Sequence, residues 1–168
     1  MAAADKDYPV TTAIRFLRSR NIEFRPHLYE YEEHGGTRLS AQALGVPEHE
    51  VVKTLVFETD ARKLLIVLMH GDREVSAKEL ARVIGVKRVE PCDAAAAQRA
   101  TGYVFGGTSP FGTRTALPVY AEKTIFTLAR IYINGGKRGF LVELNPSVLE
   151  SELHVTEVTV AIDPSQAK

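Results

Sequence analysis

Residues 51–69 read VVKTLVFETDARKLLIVLM. Two runs rich in valine, leucine and isoleucine, residues 51–58 and 63–69, flank a short polar segment at Asp60 and Ala61. Residues of this kind favour strands, and a polar interruption favours a turn between them. The pattern predicts two neighbouring strands at the centre of a sheet. The second is apolar enough to be buried on both faces.

Helix start and stop signals occur along the rest of the chain. Ser76-Ala-Lys-Glu79 is a capping-box pattern, and Gly85 ends the helix that this pattern opens. Asp93 caps an alanine-rich helix in the same region. The predicted helices begin at Thr11 or Thr12, Ser40, Ser76, Asp93 and Asn145, and they end near Asn21, Gly45, Gly85, Ala100 and Leu153.

Strand signals lie between these helices without strict alternation. They cover residues 23–31, 117–121, 131–133, 140–144 and 158–162, and Pro26 marks the first as an edge strand. We therefore predict an α/β protein of the α+β type, with a mixed, mostly antiparallel sheet and helices packed outside it. Because no linker or internal repeat divides residues 1–168, a single domain is expected.

Composition limits the classes of function. With 45% hydrophobic residues and a net charge of zero, the chain is typical of a globular protein without bulk attraction to nucleic acid or membrane. A polyanion would therefore have to bind through a local basic patch. The absence of a long apolar run predicts no membrane insertion, and the single cysteine, Cys92, agrees with a cytoplasmic location. The five histidines lack the spacing of a metal site, so no metal is expected.

The stretch TGYVFGGTSPFG, residues 101–112, predicts a short aromatic strand that runs into a glycine-dense loop. Glycines let another molecule approach the main chain closely, so this loop can bind a ligand through its peptide groups. A plain turn between strands is the alternative. The loop lacks the lysine of a phosphate-binding loop, and Ser109 lacks the glycine pattern of a nucleophile elbow. Cys92 is interpreted as an inert thiol.

Lys53 interrupts the apolar run of the first central strand. A lysine is rarely buried without a partner or a cavity. Either Lys53 faces solvent, or its ammonium projects into a pocket bounded by the glycine loop and by a second loop, NGGKRG at residues 134–139. The second arrangement predicts a pocket for an anionic or carbonyl-bearing ligand and leaves the reaction open.

Four motifs together resemble the YbaK/EbsC family of aminoacyl-tRNA editing domains. They are VVKTL at residues 51–55, AQRATGY at 97–103, GGTSPFG at 106–112 and GGKRG at 135–139, and their order and intervals match over about residues 10–150. The resemblance implies the fold of the prolyl-tRNA synthetase insertion domain, with the sheet curled into a partial barrel. It also implies a freestanding trans-editing deacylase without a cofactor. The implied substrate is mischarged aminoacyl-tRNA, above all Cys-tRNA(Pro), and prolyl-tRNA synthetase is a further implied partner.

The same resemblance assigns residue roles by position. Lys53 matches the catalytic pocket lysine of the family. Leu141 and Asn134 depart from it, because they stand where related sequences can carry aspartate and serine. The residues that correspond to substrate-binding positions are Tyr29, Thr54, Gly106, Gly107, Thr108, Ser109, Pro110, Asn134, Gly135 and Gly136.

In the cysteinyl branch of this family, the substrate's own thiol is expected to attack its ester, so the protein would need no nucleophile. Peptide N–H groups and an ammonium would then stabilise the developing oxyanion. Three alternatives remain open at this point. They are a deacylase for Ala-tRNA(Pro), a non-catalytic module that binds aminoacyl-adenosine or a nucleotide, and a plain interaction domain with Lys53 exposed.

Overall fold

A computed structural model describes residues 7–166 of the chain. It contains a large mixed sheet, a small second sheet and five α-helices in that range. The helices are α1 (Thr12–Ser19), α2 (Gly36–Leu44), α3 (Ala77–Ile84), α4 (Ala94–Thr101) and α5 (Ser147–Leu153). The strands are β1 (Arg25–Leu28), β2 (Val51–Thr59), β3 (Leu64–His70), β4 (Glu74–Val75), β5 (Val89–Pro91), β6 (Val119–Glu122), β7 (Ile131–Lys137), β8 (Phe140–Leu144), β9 (Thr156–Val158) and β10 (Ala161–Ile162).

The large sheet is mixed, as predicted. Its strands follow the order β1-β8-β7-β2-β3-β6-β9, and β5 also pairs with β2. Four of these pairs are antiparallel (β1–β8, β7–β8, β2–β3 and β2–β5), and three are parallel (β2–β7, β3–β6 and β6–β9). The small sheet pairs β4 with β10. These pairings define the strand order but not the closure of the sheet, so the partial barrel stays a prediction.

Both faces of the large sheet are covered, and β3 shows this most clearly. Ile66 and Leu68 point to one side, where they meet apolar residues of α1 and α5. Leu65 and Met69 point to the other side, where Leu80 of α3 packs against them. Successive side chains of a strand alternate between faces, so a strand covered on both sides must be apolar throughout. The prediction that this strand is buried on both faces is therefore confirmed.

Most helix ends follow the sequence signals. Thr11, Ser76 and Asp93 each accept a hydrogen bond at the first turn of α1, α3 and α4. Gly45 and Gly85 end α2 and α3 in the left-handed conformation that glycine adopts most readily.

Three sequence predictions are wrong in detail. Ser40 does not cap α2, because the helix begins at Gly36 and the Ser40 hydroxyl donates to the carbonyl of Thr37 within it. The aromatic strand predicted at residues 103–105 is a loop, since Gly102 ends α4 in a left-handed turn. The predicted strand at residues 158–162 divides into β9 and β10, which belong to different sheets.

A buried carboxylate explains this last division. Glu122, at the end of β6, is 2% exposed, and its Oε1 accepts the backbone N–H groups of Val160 and Ala161 at 2.8 and 3.0 Å. These bonds satisfy the two amides where the chain leaves the large sheet. The carbonyl of Val160 also accepts the N–H of Ser76, which fixes the crossing segment beside β4.

His70 is a buried histidine at the end of β3. It is 1% exposed, its Nδ1 lies 2.8 Å from the carbonyl of His49 and its Nε2 lies 2.7 Å from Oγ1 of Thr124. The carbonyl accepts, so Nδ1 carries the hydrogen and Nε2 accepts from the threonine hydroxyl. The ring also stacks on His49 with 3.7 Å between centroids. Burial lowers the pKa of His70, because the imidazolium form loses its hydration there.

This environment predicts an acid-sensitive contribution to stability. A folded-state pKa below the ordinary 6.5 means that the unfolded chain binds more protons, so the His70 contribution is complete above pH 6.5 and is lost as the pH falls through the folded-state pKa. His70→Gln should therefore reduce the difference in unfolding free energy between about pH 7.5 and about pH 5.5, measured by urea denaturation. The exposed His154→Asn should leave that difference unchanged. An unaltered pH dependence in His70→Gln would contradict the prediction.

Candidate functional site

An interruption in the pairing of β2 creates the site. On one edge, β2 pairs with β7 at Val51 and Val52 and with β5 from Phe57 to Thr59. Between these two stretches, no strand within residues 7–166 pairs with this edge. The Val56 carbonyl points to this edge, since it accepts the N–H of Cys92. Backbone groups alternate between the two edges of a strand, so the N–H and C=O of Thr54 point to the same edge.

A cavity of about 390 Å³ lies against this open edge. Such a volume is within the range of small-ligand sites. Residues 51–56 form one wall, and Asn134 and Leu141 of the β7–β8 hairpin form another. The lining also includes the segment between β1 and α2, the first half of α2, the first half of α4 and the glycine loop after α4.

Lys53 lies in the cavity wall and is held by an ion pair. Its Nζ is 3.0 Å from Oε2 of Glu74, which belongs to β4 in the small sheet. The Lys53 side chain is 17% exposed, whereas the Glu74 side chain is 46% exposed. The lysine is thus the more buried partner, and its ammonium is held by Glu74.

Thr54 offers a polar group that the protein itself leaves unused. Its Oγ1 is buried and makes no hydrogen bond within residues 7–166. Most buried hydroxyls in folded proteins are paired, so this unpaired hydroxyl is an exception. Toward the open edge of β2, Thr54 directs its backbone N–H and C=O, which are one donor and one acceptor.

Two glycine loops are joined by side-chain hydrogen bonds. Oδ1 of Asn134 accepts the N–H groups of Gly136 and Lys137, and its Nδ2 donates to the carbonyl of Gly106 at 3.2 Å. Nε of Arg138 donates to the carbonyl of Phe105 at 2.8 Å. The second loop therefore holds the first in place.

The loops also touch through their backbones. A Cβ added to Gly107 would lie 2.8 Å from the backbone nitrogen of Arg138 and 3.0 Å from the carbonyl carbon of Lys137. Only a residue without a side chain allows this approach.

Two tyrosines in the lining stay neutral near pH 7. Burial raises the pKa of Tyr103 to about 12, and its hydroxyl donates to the carbonyl of Phe111 at 2.5 Å. Burial also raises the pKa of Tyr29, and the neighbouring Tyr31 adds to this effect. Both phenols are therefore hydrogen-bond donors and not bases under ordinary conditions.

Cys92 also lines the cavity. Burial raises its pKa, and the nearby Glu58 and Asp93 carboxylates add to this effect. Because the thiolate is the nucleophilic form, this environment makes Cys92 a weak nucleophile.

The structure brings together six of the residues for which a role was predicted from the sequence. Lys53, Tyr29, Thr54, Gly106, Thr108 and Asn134 all line the cavity. Their roles toward a substrate stay predictions. Asn134 has the additional task of holding the loops together, which the sequence did not indicate.

The other five residues with a predicted role lie outside the lining. Ser109 is fully buried, and its Oγ accepts the N–H of Phe111. The carbonyl of Gly135 accepts a hydrogen bond from the Thr11 hydroxyl at 2.5 Å, which holds Gly135 against the start of α1. These positions stabilise the loops and do not line the cavity. The five are Gly107, Ser109, Pro110, Gly135 and Gly136.

Two contributors, Glu74 and Tyr31, escaped the sequence reasoning. Glu74 lies in a two-residue strand whose proximity to Lys53 depends on the pairing of β4 with β10. The guanidinium carbon of Arg138 lies 5.2 Å from the centroid of the Tyr31 ring, a contact that residue spacing does not reveal.

Within the described residues, no group of three or more His, Cys, Asp or Glu side chains could hold a metal ion. No helix in that range is both long and apolar enough to cross a membrane.

Comparison with known proteins gives consistent results. The profile of a family described as “Aminoacyl-tRNA editing domain” matches residues 36–151. A relative from Enterococcus faecalis, named “Putative Cys-tRNA(Pro)/Cys-tRNA(Cys) deacylase EbsC”, is 28% identical over 89% of this chain and 92% of its own length. A proline–tRNA ligase from Desulfotalea psychrophila is 30% identical over 76% of this chain, which corresponds to 22% of the ligase.

The fold is also found among solved structures. A crystal structure described as a “putative trans-editing enzyme for prolyl tRNA synthetase” superposes with a TM-score of 0.76 and 21% identity. The match covers 90% of this chain and 97% of that protein. The mixed α/β architecture is therefore shared with that protein.

The contact between the glycine loops predicts a steric effect at Gly107. Gly107→Ala should lower the unfolding free energy by about 1–3 kcal/mol, because the added methyl group meets backbone atoms that cannot move independently. Gly85→Ala is the matched control, since it has open space and only the strain of its positive φ, about 1 kcal/mol. Urea denaturation of both variants measures the difference. A loss in Gly107→Ala well below about 1 kcal/mol would show that the loops do not constrain each other at this point.

Proposed function

Because the chain belongs to the aminoacyl-tRNA editing domain family, we propose that it is a freestanding deacylase that hydrolyses mischarged aminoacyl-tRNA, with Cys-tRNA(Pro) as its main substrate. The observation that carries this proposal is the cavity at the open edge of β2, whose lining includes Lys53 and Thr54. The names of the relatives point to the same reaction class and substrate. The reaction is the cleavage of the ester between an amino acid and the terminal ribose.

The groups in the wall suit ester cleavage. An aminoacyl ester is already activated, so the protein has to orient it and stabilise the negative charge that develops on the carbonyl oxygen. Lys53 supplies a positive charge at the cavity edge, and Glu74 keeps its side chain in place. Thr54 supplies a backbone N–H at the open edge of β2. These donors are arranged before the substrate arrives, so little reorganisation accompanies the reaction.

A thiol within the substrate completes the mechanism. The cysteine sulfur attacks its own ester carbonyl, a carbon–sulfur bond forms, and the carbon–oxygen bond to the ribose breaks. The thiol proton is transferred to the leaving ribose oxygen, which gives a cyclic thiolactone and free tRNA. Water then opens the thiolactone to cysteine. Holding a thiol beside a carbonyl contributes several kcal/mol through effective concentration, and the weak nucleophilicity of Cys92 agrees with this route.

The proposal includes a way of reaching tRNA without a strongly basic protein. Positive and negative side chains are equal in number, so attraction to the phosphate backbone has to be local. An association with prolyl-tRNA synthetase would bring mischarged tRNA(Pro) to the site. A cytoplasmic location follows from this substrate and this partner.

Lys53→Ala tests the oxyanion arrangement. Loss of the ammonium should lower kcat/KM for Cys-tRNA(Pro) about a hundredfold, which corresponds to roughly 3 kcal/mol of transition-state stabilisation. Lys78→Ala removes an exposed lysine on α3 and is the matched control. Circular dichroism should show an intact fold in both variants. A folded Lys53→Ala variant with normal deacylation would remove Lys53 from the mechanism.

A substrate panel tests the thiol mechanism and the choice of amino acid. tRNA(Pro) charged with cysteine, serine, alanine or proline is incubated with the protein, and the first product is identified by mass spectrometry. Cys-tRNA(Pro) should react much faster than Ser-tRNA(Pro), because a neutral hydroxyl is a far weaker nucleophile than a thiol. Comparable rates for the alanyl and cysteinyl substrates, with free amino acid as the first product, would exclude the thiol route and favour an Ala-tRNA(Pro) deacylase. An acyl group trapped on Cys92 would indicate covalent catalysis, and binding without turnover a non-catalytic module.

A further inference from the structure

Phe105 is an exposed aromatic residue in the wall of the cavity. Its exposed fraction is 74%, the highest among the exposed large apolar residues of the described chain, and it is the one aromatic ring among them. Val104 beside it is 43% exposed, so the two form an apolar patch in the glycine loop. A ring with this much contact with water gains free energy when another flat apolar surface covers it.

The backbone of this patch is fixed although the ring is in solvent. The carbonyl of Phe105 accepts the Arg138 hydrogen bond, and the next carbonyl, of Gly106, accepts the Asn134 hydrogen bond. Gly107 donates its N–H to the carbonyl of Val104 within the same turn. Little conformational entropy is therefore lost from the backbone when a ligand covers the ring.

Positive charge surrounds the same loop. Arg138 and Lys137 of the second glycine loop are exposed, and Arg114 lies 3.7 Å from the position of a Cβ on Gly102, where the first loop begins. The hydrogen bond to Phe105 uses one of the five donors of the Arg138 guanidinium. An exposed aromatic ring next to cations is the combination that binds single-stranded nucleic acid, because bases stack on the ring and phosphates pair with the cations.

We propose that Phe105 is a stacking platform for a base of the unpaired 3′ end of aminoacyl-tRNA, and that Arg138 binds an adjacent phosphate. The inference rests on the proposed function and adds a nucleotide contact to it. The aminoacyl ester enters the cavity while the nucleotide that carries it stays at the mouth, on the ring. Phe105 thus positions the substrate and takes no part in the bond changes.

Removing the ring and removing the base should have the same effect. For Phe105→Ala, KM for an aminoacylated minihelix should rise on the order of tenfold, with little change in kcat, since one stacked base is lost. Phe105→Tyr should restore the wild-type KM. Val83→Ala, which removes an exposed apolar side chain on α3, should have no effect. A minihelix with an abasic 3′-terminal residue should bind wild type and Phe105→Ala equally, because it carries no base that could stack on the Phe105 ring.

Two results would overturn the platform. One is a KM for Phe105→Ala equal to that of wild type on the intact minihelix. The other is an equal loss for Phe105→Ala on the intact and the abasic minihelix, which would show a general distortion of the loop. Association of two protein copies through Phe105, seen as a concentration-dependent mass that Phe105→Ala abolishes, would also contradict the proposal.

A binding measurement separates this inference from the proposed function. The uncharged trinucleotide C-C-A is titrated into the protein, and chemical shifts of the Phe105 ring are followed by NMR. Ring shifts in wild type, with binding weakened in Phe105→Ala, support the platform even if no aminoacyl-tRNA is hydrolysed. Deacylation without ring shifts or weakened binding would overturn the platform and leave the deacylase standing.

Discussion

The incomplete pairing of β2 is the constraint on which the rest of the site depends. A central strand normally has both edges hydrogen-bonded, and an unpaired stretch of backbone inside a protein is costly unless water or a ligand satisfies it. Here β7 leaves β2 after Val52 and β5 joins it only at Phe57. The resulting gap has a rigid floor of main-chain groups, because the opposite edge of β2 is paired with β3 throughout Val52–Glu58. Lys53 and Thr54 lie within this unpaired stretch and contribute to the cavity wall.

Polar contacts and burial fix the state of the side chains that line the cavity. The carboxylate of Glu74 holds the Lys53 ammonium, and the amide of Asn134 makes two hydrogen bonds within its own glycine loop and one to the other loop. The phenols of Tyr29 and Tyr103 stay protonated because burial disfavours their charge. The lining therefore contains phenol donors and Lys53, together with the Glu32 and His34 side chains. Because Cys92 is a weak nucleophile there, the proposed attack by the substrate's own thiol suits this site.

Local signals in the sequence were sufficient for most of the fold. The apolar runs at residues 51–69 gave the β2–β3 pair, and Ser76, Asp93, Gly45 and Gly85 marked helix ends, since these features depend on neighbouring residues. The errors arose where a distant group decides the outcome. Residues 158–162 read as one strand because Glu122, which divides them, is remote in sequence. For the same reason, a pocket formed by Lys53 and the glycine loops was only one of two alternatives, and neither the partner of Lys53 nor the inward or outward direction of each loop residue was predicted.

The buried carboxylate of Glu122 connects the last strand of the described chain to the cavity wall. By holding Val160 and Ala161 it places β10 beside β4, and β4 carries the Glu74 that contacts Lys53. The last strand of the described chain, β10, is therefore linked to Lys53 through one strand pairing and one ion pair. Val160 and Ala161, near the end of the sequence, therefore help to position Lys53 in its first third. A shortened or re-engineered C-terminal segment would loosen that lysine without altering any residue of the cavity itself.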